Sequence, residues 1–263
     1  MPGTLRTASG RILVVLPTLG ERLGTLAQTL ESIDAQRDEV DLRLVVVLPT
    51  GAVEAASLAA AHGADIVDDP GLGMSEAINA GVRAADDETY YAWMGDDDLF
   101  RPHGLRRLRA LFDLDPRAIV AFGACEHIGP DGQVIGRSAA GRIAPWLMTW
   151  GPNLVPHPGS MIRLDALHEV GPFDATLKYA MDLDMFLRLH RLGRFASTRQ
   201  TVSAFRWHPD SLTVSNREAS VAESQAVRRR HLPAWLRPVA PAWENPWRWA
   251  GAVAGSRRSQ NGS

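Results

Sequence analysis

The chain has 263 residues, is 45% hydrophobic and 22% charged, and carries a formal net charge of −2. This balance suits a globular protein and offers no overall electrostatic case for binding nucleic acid. The single cysteine, Cys125, excludes an intrachain disulfide and a multi-cysteine zinc site, and it fits a reducing compartment.

Residues 1–10 read as a flexible leader without the apolar core of a signal peptide. Arg11 to Leu16, RILVVL, is a β-branched apolar run of the kind buried on both faces of a sheet, and Pro17 ends it. Leu23, Leu26, Leu30 and Ile33 then recur at helical spacing. Leu42 to Leu48 reads as a second buried strand, Ala52 to His62 as an alanine-rich helix capped by Gly63, and Ala64 to Val67 as a short third strand. A helix over Ser75 to Ala84 leads to a fourth strand, Tyr90 to Met94. This alternation predicts an α/β fold with a mostly parallel sheet flanked by helices. In such sheets ligands bind beyond the carboxyl ends of the strands, which here are the loops Pro17–Arg22, Pro49–Gly51 and Gly95–Asp98.

Beyond these strands, Arg101 to Phe112 predicts a basic helix with a solvated arginine face. Ile119 to Ala124 and Gln133 to Ile135 suggest strands about the turn Gly129–Gly132. Asn153 to Arg163 reads as irregular, then extended. Asp165 to Val170 and Asp182 to Leu192 read as helices, and Thr201 to Trp207 as a last strand. After about Ala226 the chain changes character: Trp235, Trp243, Trp247 and Trp249 alternate with arginines and prolines, the composition of a tail. No run approaches the ~20 apolar residues of a spanning helix, so a cytoplasmic location is expected. The tryptophan–arginine tail suggests peripheral contact with the inner face of the cell membrane, packing back on the domain, or a homodimer contact.

The densest chemistry lies in YYAWMGDDDLFRP, where an aromatic strand stops at Gly95 and the carboxylates Asp96, Asp97 and Asp98. Clustered like charges are costly unless a cation sits among them, and carboxylate oxygens suit Mg²⁺ or Mn²⁺ carrying phosphates. A solvated acidic turn is the plainer alternative.

Four segments, in this order, resemble the family-two glycosyltransferases: ILVVLPTLGER, PGLGMSEAINAGVRAA, WMGDDDLFRP, and HPGSMIRLDALHEVGPFDATLKYAMDLDMFLRLHRLG followed by FRWHPDSLT. The resemblance covers roughly Arg11 to Thr213. It implies a GT-A type, Rossmann-like fold over 11–225, with a nucleotide-binding half at 11–100, an acceptor-binding half at 101–225, and a helical or irregular tail at 226–263. It also implies an inverting enzyme that moves a sugar from a nucleotide-diphosphate sugar to a glycan or lipid-linked acceptor, in cell-surface polysaccharide or glycoconjugate synthesis, with Mn²⁺ or Mg²⁺.

By the same resemblance, Pro17, Thr18, Glu21, Gly73, Asn79 and Asp96 would meet the donor. Asp97, Asp98 and His208 would be metal ligands, with the register of the aspartates open. Asp182 would take the acceptor proton and Asp184 would be structural. The plainer readings are helix capping for Thr18 and Asp182 and helix packing for Asn79. Three departures stand out. The loop Pro49–Gly51 lacks the family's carboxylate, for which Asp68 or Asp69 is the candidate substitute, a helix-flanking turn being the plainer reading of both. Ile78 replaces a basic residue, and Met181 replaces the first acid of the pair. Arg22 reads as a phosphate contact or a surface arginine, His157 falls in the loop toward the acceptor with a conformational role as the plainer reading, and Trp146 and Trp150 offer a platform for a sugar face or simple packing. A sugar nucleotidyltransferase and a non-catalytic nucleotide-sugar binding module are the alternatives. A dinucleotide oxidoreductase lacks its G-x-G-x-x-G after the first strand.

Overall fold

The computed structural model describes residues 10–138, 141–207 and 216–240. Its first half follows the predicted alternation. Strand β1 (Ile12–Pro17) leads to α1 (Leu23–Asp34), β2 (Leu42–Leu48), α2 (Val53–Ala61), β3 (Asp65–Asp68), α3 (Met74–Arg83) and β4 (Tyr90–Trp93). The strands β3-β2-β1-β4 are parallel neighbours. Every residue of β1 and β4 is buried, which is why both are apolar without alternation. Leu26, Leu30 and Ile33 of α1 pack against one face of the sheet, and Ala77, Ile78 and Ala80 of α3 against the other. Gly81 makes the second contact close: a Cβ there would lie 2.4 Å from Val15 Cγ1.

The second half continues with β5 (Leu99–Phe100), α4 (Gly104–Leu114), β6 (Ala118–Ile128), β7 (Val134–Arg137), α5 (Ala144–Trp150) and β8 (Ser160–Arg163). It closes with α6 (Leu164–Val170), α7 (Met181–Leu192), β9 (Arg194–Arg206) and α8 (Arg217–His231). Here the sheet turns mixed. Its full order is β3-β2-β1-β4-β8-β6-β9-β5, and β7 pairs with the far end of β6. Strand β8 lies antiparallel between β4 and β6, whereas β9 is parallel to β6. Both β6 and β9 are longer than expected from sequence, because they pair along nearly their whole lengths and brace each other where neither is strongly apolar.

A helix crosses the expected boundary at 225/226. Helix α8 runs unbroken through Ala226, and Val227 is fully buried in the larger core. Three of its side chains also anchor it. His231 Nε2 meets Asp184 Oδ1 at 2.9 Å, Arg228 donates to the Met148 carbonyl, and Glu223 accepts backbone N–H groups from Lys178, Tyr179 and Ala180. Trp235 is exposed, while Trp243, Trp247 and Trp249 lie outside the described residues. Among the described residues, no helix is long and apolar enough to cross a membrane.

Candidate active site

Parallel strands place the ends of β1, β2 and β4 on one rim, and side chains join them there. Thr18, at the end of β1, donates its hydroxyl to Asp96 Oδ2 at 2.6 Å and accepts the Gly20 N–H at 3.0 Å. Its oxygen therefore organises its own loop while bridging to the acid turn. The loop Pro49–Gly51 has no acid in sequence but acquires one in space, since Thr50 donates to Asp68 at the end of β3. Pro17 is buried and Glu21 is exposed at the rim. Gly73, with φ 95°, opens α3 in a conformation that favours glycine.

The three aspartates part company. Asp96 and Asp97 turn toward the rim, where one guanidinium, that of Arg22, meets Asp96 Oδ1 and, at 2.8 Å, Asp97 Oδ2. Burial works against the Arg22 charge, but the two carboxylates outweigh it and hold its pKa above the ordinary value. Burial in turn raises the Asp96 pKa, against the pull of Thr18 and Arg22. Asp98 faces inward. It is 2% exposed, and its carboxylate accepts the backbone N–H of Arg206 at 2.9 Å. Burial and the neighbouring Asp97 raise its pKa well above the carboxylate range. The expectation that Asp98 is an alternative metal ligand thus meets a side chain committed to the β9 side of the turn.

Arg206, at the end of β9, is the strut behind this turn. Only 4% exposed, it donates to the carbonyls of Asp97 (3.0 Å) and Pro130 (2.7 Å) and to Gln28 Oε1 (2.7 Å). One buried cation thereby ties the acid turn to α1 and to the β6–β7 turn. Sequence reading passed over it, although its position in the FRWHPDSLT segment was the available signal. His208 lies outside the described residues.

Asp182 sits in the first turn of α7. Asn153 donates to its Oδ2 at 3.1 Å and the Leu183 N–H to its Oδ1 at 2.7 Å. It keeps some contact with solvent, yet burial raises its pKa from the ordinary 3.8 to about 6. Asp184, two residues on, is spent on Arg188 and His231, in the structural role expected of it. The loop that supplies Asn153 also supplies His157. The His157 ring stacks on Trp93 with centroids 4.1 Å apart, and its Nε2 lies 3.7 Å from Asp98 Oδ2. Burial lowers the His157 pKa to about 3, so the ring is neutral. Residues 153 and 157 are at most about 14 Å apart along the chain. One short loop therefore links Asp182, through Asn153, to the acid turn, through His157 and Asp98.

Ser75, at the start of α3, closes the circuit through the Leu177 carbonyl and Met181 Sδ. The side-chain amide of Asn79 makes two bonds of 2.9 Å to the Phe173 backbone, the geometry of a packing contact. Trp146 is 61% exposed on α5, beside the loop that holds Asn153, while Trp150 is partly buried.

Two carboxylates converging on one positive group provide hard oxygen donors of the kind Mg²⁺ and Mn²⁺ accept. Among the described residues, no set of three His, Cys, Asp or Glu side chains forms a ready metal cluster.

The chain is similar to several known proteins. It is 25% identical over 175 residues to the chondroitin synthase of Pasteurella multocida (strain Pm70) and 22% identical over 172 residues to an uncharacterized glycosyltransferase of Rickettsia bellii (strain RML369-C). These matches cover 64% and 60% of this chain, but only 18% and 24% of the relatives' own lengths. Among solved structures, the mannosyltransferase PcManGT of Pyrobaculum calidifontis, in complex with GDP-Man and Mn²⁺, is similar over 96% of this chain and 76% of its own (TM-score 0.66, 18% identity). S. aureus TarS 1–349 in complex with UDP-GlcNAc is similar over 84% of this chain and 66% of its own (TM-score 0.63, 15% identity). These likenesses identify the fold as GT-A. The model of the family described as "Glycosyl transferase family 2" matches residues 13–153, more than half of the chain, and the chain belongs to that family.

Proposed function

We propose that the protein is an inverting glycosyltransferase that moves a sugar from a nucleotide-diphosphate sugar to an acceptor hydroxyl on a glycan or lipid-linked glycan. The observation that carries this reading is Asp182. A carboxylate with a pKa near 6, held by Asn153 within one short loop of an acid turn, suits a general base. At pH 7 it is mostly ionised, yet more basic than an ordinary aspartate, which favours proton transfer as the acceptor oxygen attacks. Loss of the acceptor proton to Asp182 and displacement at the anomeric carbon from the opposite face would invert the centre in one step.

In this reading Asp97, with Asp96, would hold a divalent ion, whose charge would stabilise a diphosphate leaving group. Thr18 orients Asp96, and Arg206 fixes the turn from behind. Arg22 bridges the two carboxylates; in this reading it would yield them to the ion and turn to the diphosphate. Asp68, brought to the second loop by Thr50, replaces the missing carboxylate near the base. The ligands bound in the two similar solved structures, UDP-GlcNAc and GDP-Man, support a nucleotide-sugar donor and differ in base and sugar. Cell-surface polysaccharide or glycoconjugate synthesis is the setting proposed.

The test is release of nucleoside diphosphate from a panel of UDP-, GDP- and dTDP-sugars with Mn²⁺, for the wild type and Asp182→Asn. Donor binding with loss of turnover in the variant is expected. Equal turnover by both proteins removes Asp182 from the mechanism. Donor binding without turnover by the wild type makes the chain a binding module.

A further inference from the structure

A groove of about 770 Å³ lies between α4 and β9, away from the acid turn, and it is lined by Arg106, Arg107, Arg137 and Arg199, with no carboxylate among the described residues that line it. It is a built feature. Between Phe122 and Ala124 on β6, the partner positions on β9 move from Ser197 to Thr201, so β9 bulges over residues 198–200. Gly123 permits this, since a Cβ there would meet Val202 Cγ1 at 2.6 Å and the Gln200 carbonyl at 3.1 Å. The bulge lifts Arg199 onto the groove wall, opposite the arginines of α4.

The positive charge there is largely uncompensated. Arg107 donates to the Thr201 carbonyl at 2.7 Å and Arg137 to the Arg199 carbonyl, which orients both guanidiniums without neutralising them. Arg199 has no side-chain partner among the described residues, and Arg106 has only Glu39 at 3.5 Å. The nearby acids are engaged: Glu126 by Arg101, Asp113 by Arg109, and Glu39 also by His103. Cations gathered in a concave site raise the local concentration of anions, and guanidinium forks match carboxylate geometry. The remaining wall is aliphatic, from Leu111 and the 81%-exposed Leu114. Among the described residues no aromatic ring lines the groove, so none of them would stack a nucleobase there.

We propose that this groove binds an anionic glycan, its carboxylates on Arg107, Arg137 and Arg199 and its sugar faces against Leu111 and Leu114. The choice of a glycan over other polyanions rests on the glycosyltransferase reading above. Arg206, at the far end of β9, braces the acid turn, and Arg199 precedes it by roughly 20 Å of extended strand. The groove is thus a second station, suited to holding an acceptor or product chain while its end reaches the first.

The experiment is titration calorimetry of the full chain with an oligogalacturonate, a neutral maltooligosaccharide of equal length, inorganic polyphosphate and single-stranded DNA, at about 50 mM and about 300 mM salt. The uronate should bind, weaken with salt, and weaken about tenfold in the double variant Arg137→Gln/Arg199→Gln, whose melting temperature should be unchanged. The maltooligosaccharide should not bind. Absence of uronate binding, or binding that the double variant leaves intact, overturns the site. Tighter binding of polyphosphate or DNA than of uronate overturns its assignment to a glycan. Nucleotide-sugar turnover is measured on the same preparations, so the two readings fail separately. Turnover without uronate binding sinks the groove alone, and groove binding with a preference for uronate but without turnover sinks the catalytic reading alone.

Discussion

If Asp182 is a base held in an unfavourable setting, replacing it should change stability in a pH-dependent way. Its pKa is near 3.8 when unfolded and about 6 in the native protein. That difference corresponds to roughly 3 kcal/mol at full effect. Partial solvent contact reduces this to about 2–3 kcal/mol. Between pH 4 and pH 6 the native state binds more protons than the unfolded state, so this residue's contribution falls as pH rises and is flat above about pH 7. Asp182→Asn removes the titration. It also sets its amide against Asn153, whose own orientation is pinned by the Val155 N–H, at a loss of about 1 kcal/mol at every pH. The variant should therefore be slightly weaker than wild type at pH 4 and about 1–2 kcal/mol stronger at pH 7.5. Urea unfolding at a series of pH values measures this. The wild-type kcat/KM should show an acid limb near pH 6. A stability difference that does not vary with pH would refute the reasoning, even if activity were lost.

Three further outcomes follow from the packing. Arg206→Met leaves the Asp97 and Pro130 carbonyls and Gln28 without their buried donor, and should cost about 3–5 kcal/mol in urea unfolding; a loss below about 1 kcal/mol would mean water reaches the strut. Gly81→Ala gains helix propensity but drives a methyl into Val15 and Val47, for a net loss of about 1–3 kcal/mol by thermal melting. Glu223→Ala frees three N–H groups ahead of α7 and should lose about 1–3 kcal/mol together with part of kcat, whereas Glu223→Gln, which keeps an acceptor oxygen, should recover most of both.

The parallel half of the fold was legible because its strands are buried on both faces and therefore read as apolar runs. The acid turn and the first turn of α7 were legible because their chemistry is local in sequence. What escaped was long-range. Nothing in SMIR announces that β8 enters between β4 and β6, and α8 is too polar to look like part of a core. It is held by Val227 and by side-chain bonds to distant backbone. The differing directions of Asp96, Asp97 and Asp98 depend on Thr18, Arg22 and Arg206, residues 74 to 109 positions away in the chain. Asn79 matched a motif, but its environment assigns it to Phe173.

The place of β8 also governs how the molecule can be divided. Tyr90 and Tyr91 pair with Arg163 and Ile162 on the side away from β1. A fragment ending at the boundary of the family match, residue 153, would strip that partner away and leave an apolar strand with a raw edge of backbone donors and acceptors. Such a piece would seek another chain to complete it. The donor-side half is therefore not a module that evolution or an engineer can lift out and reuse intact; it is inherited together with the segment that seals it.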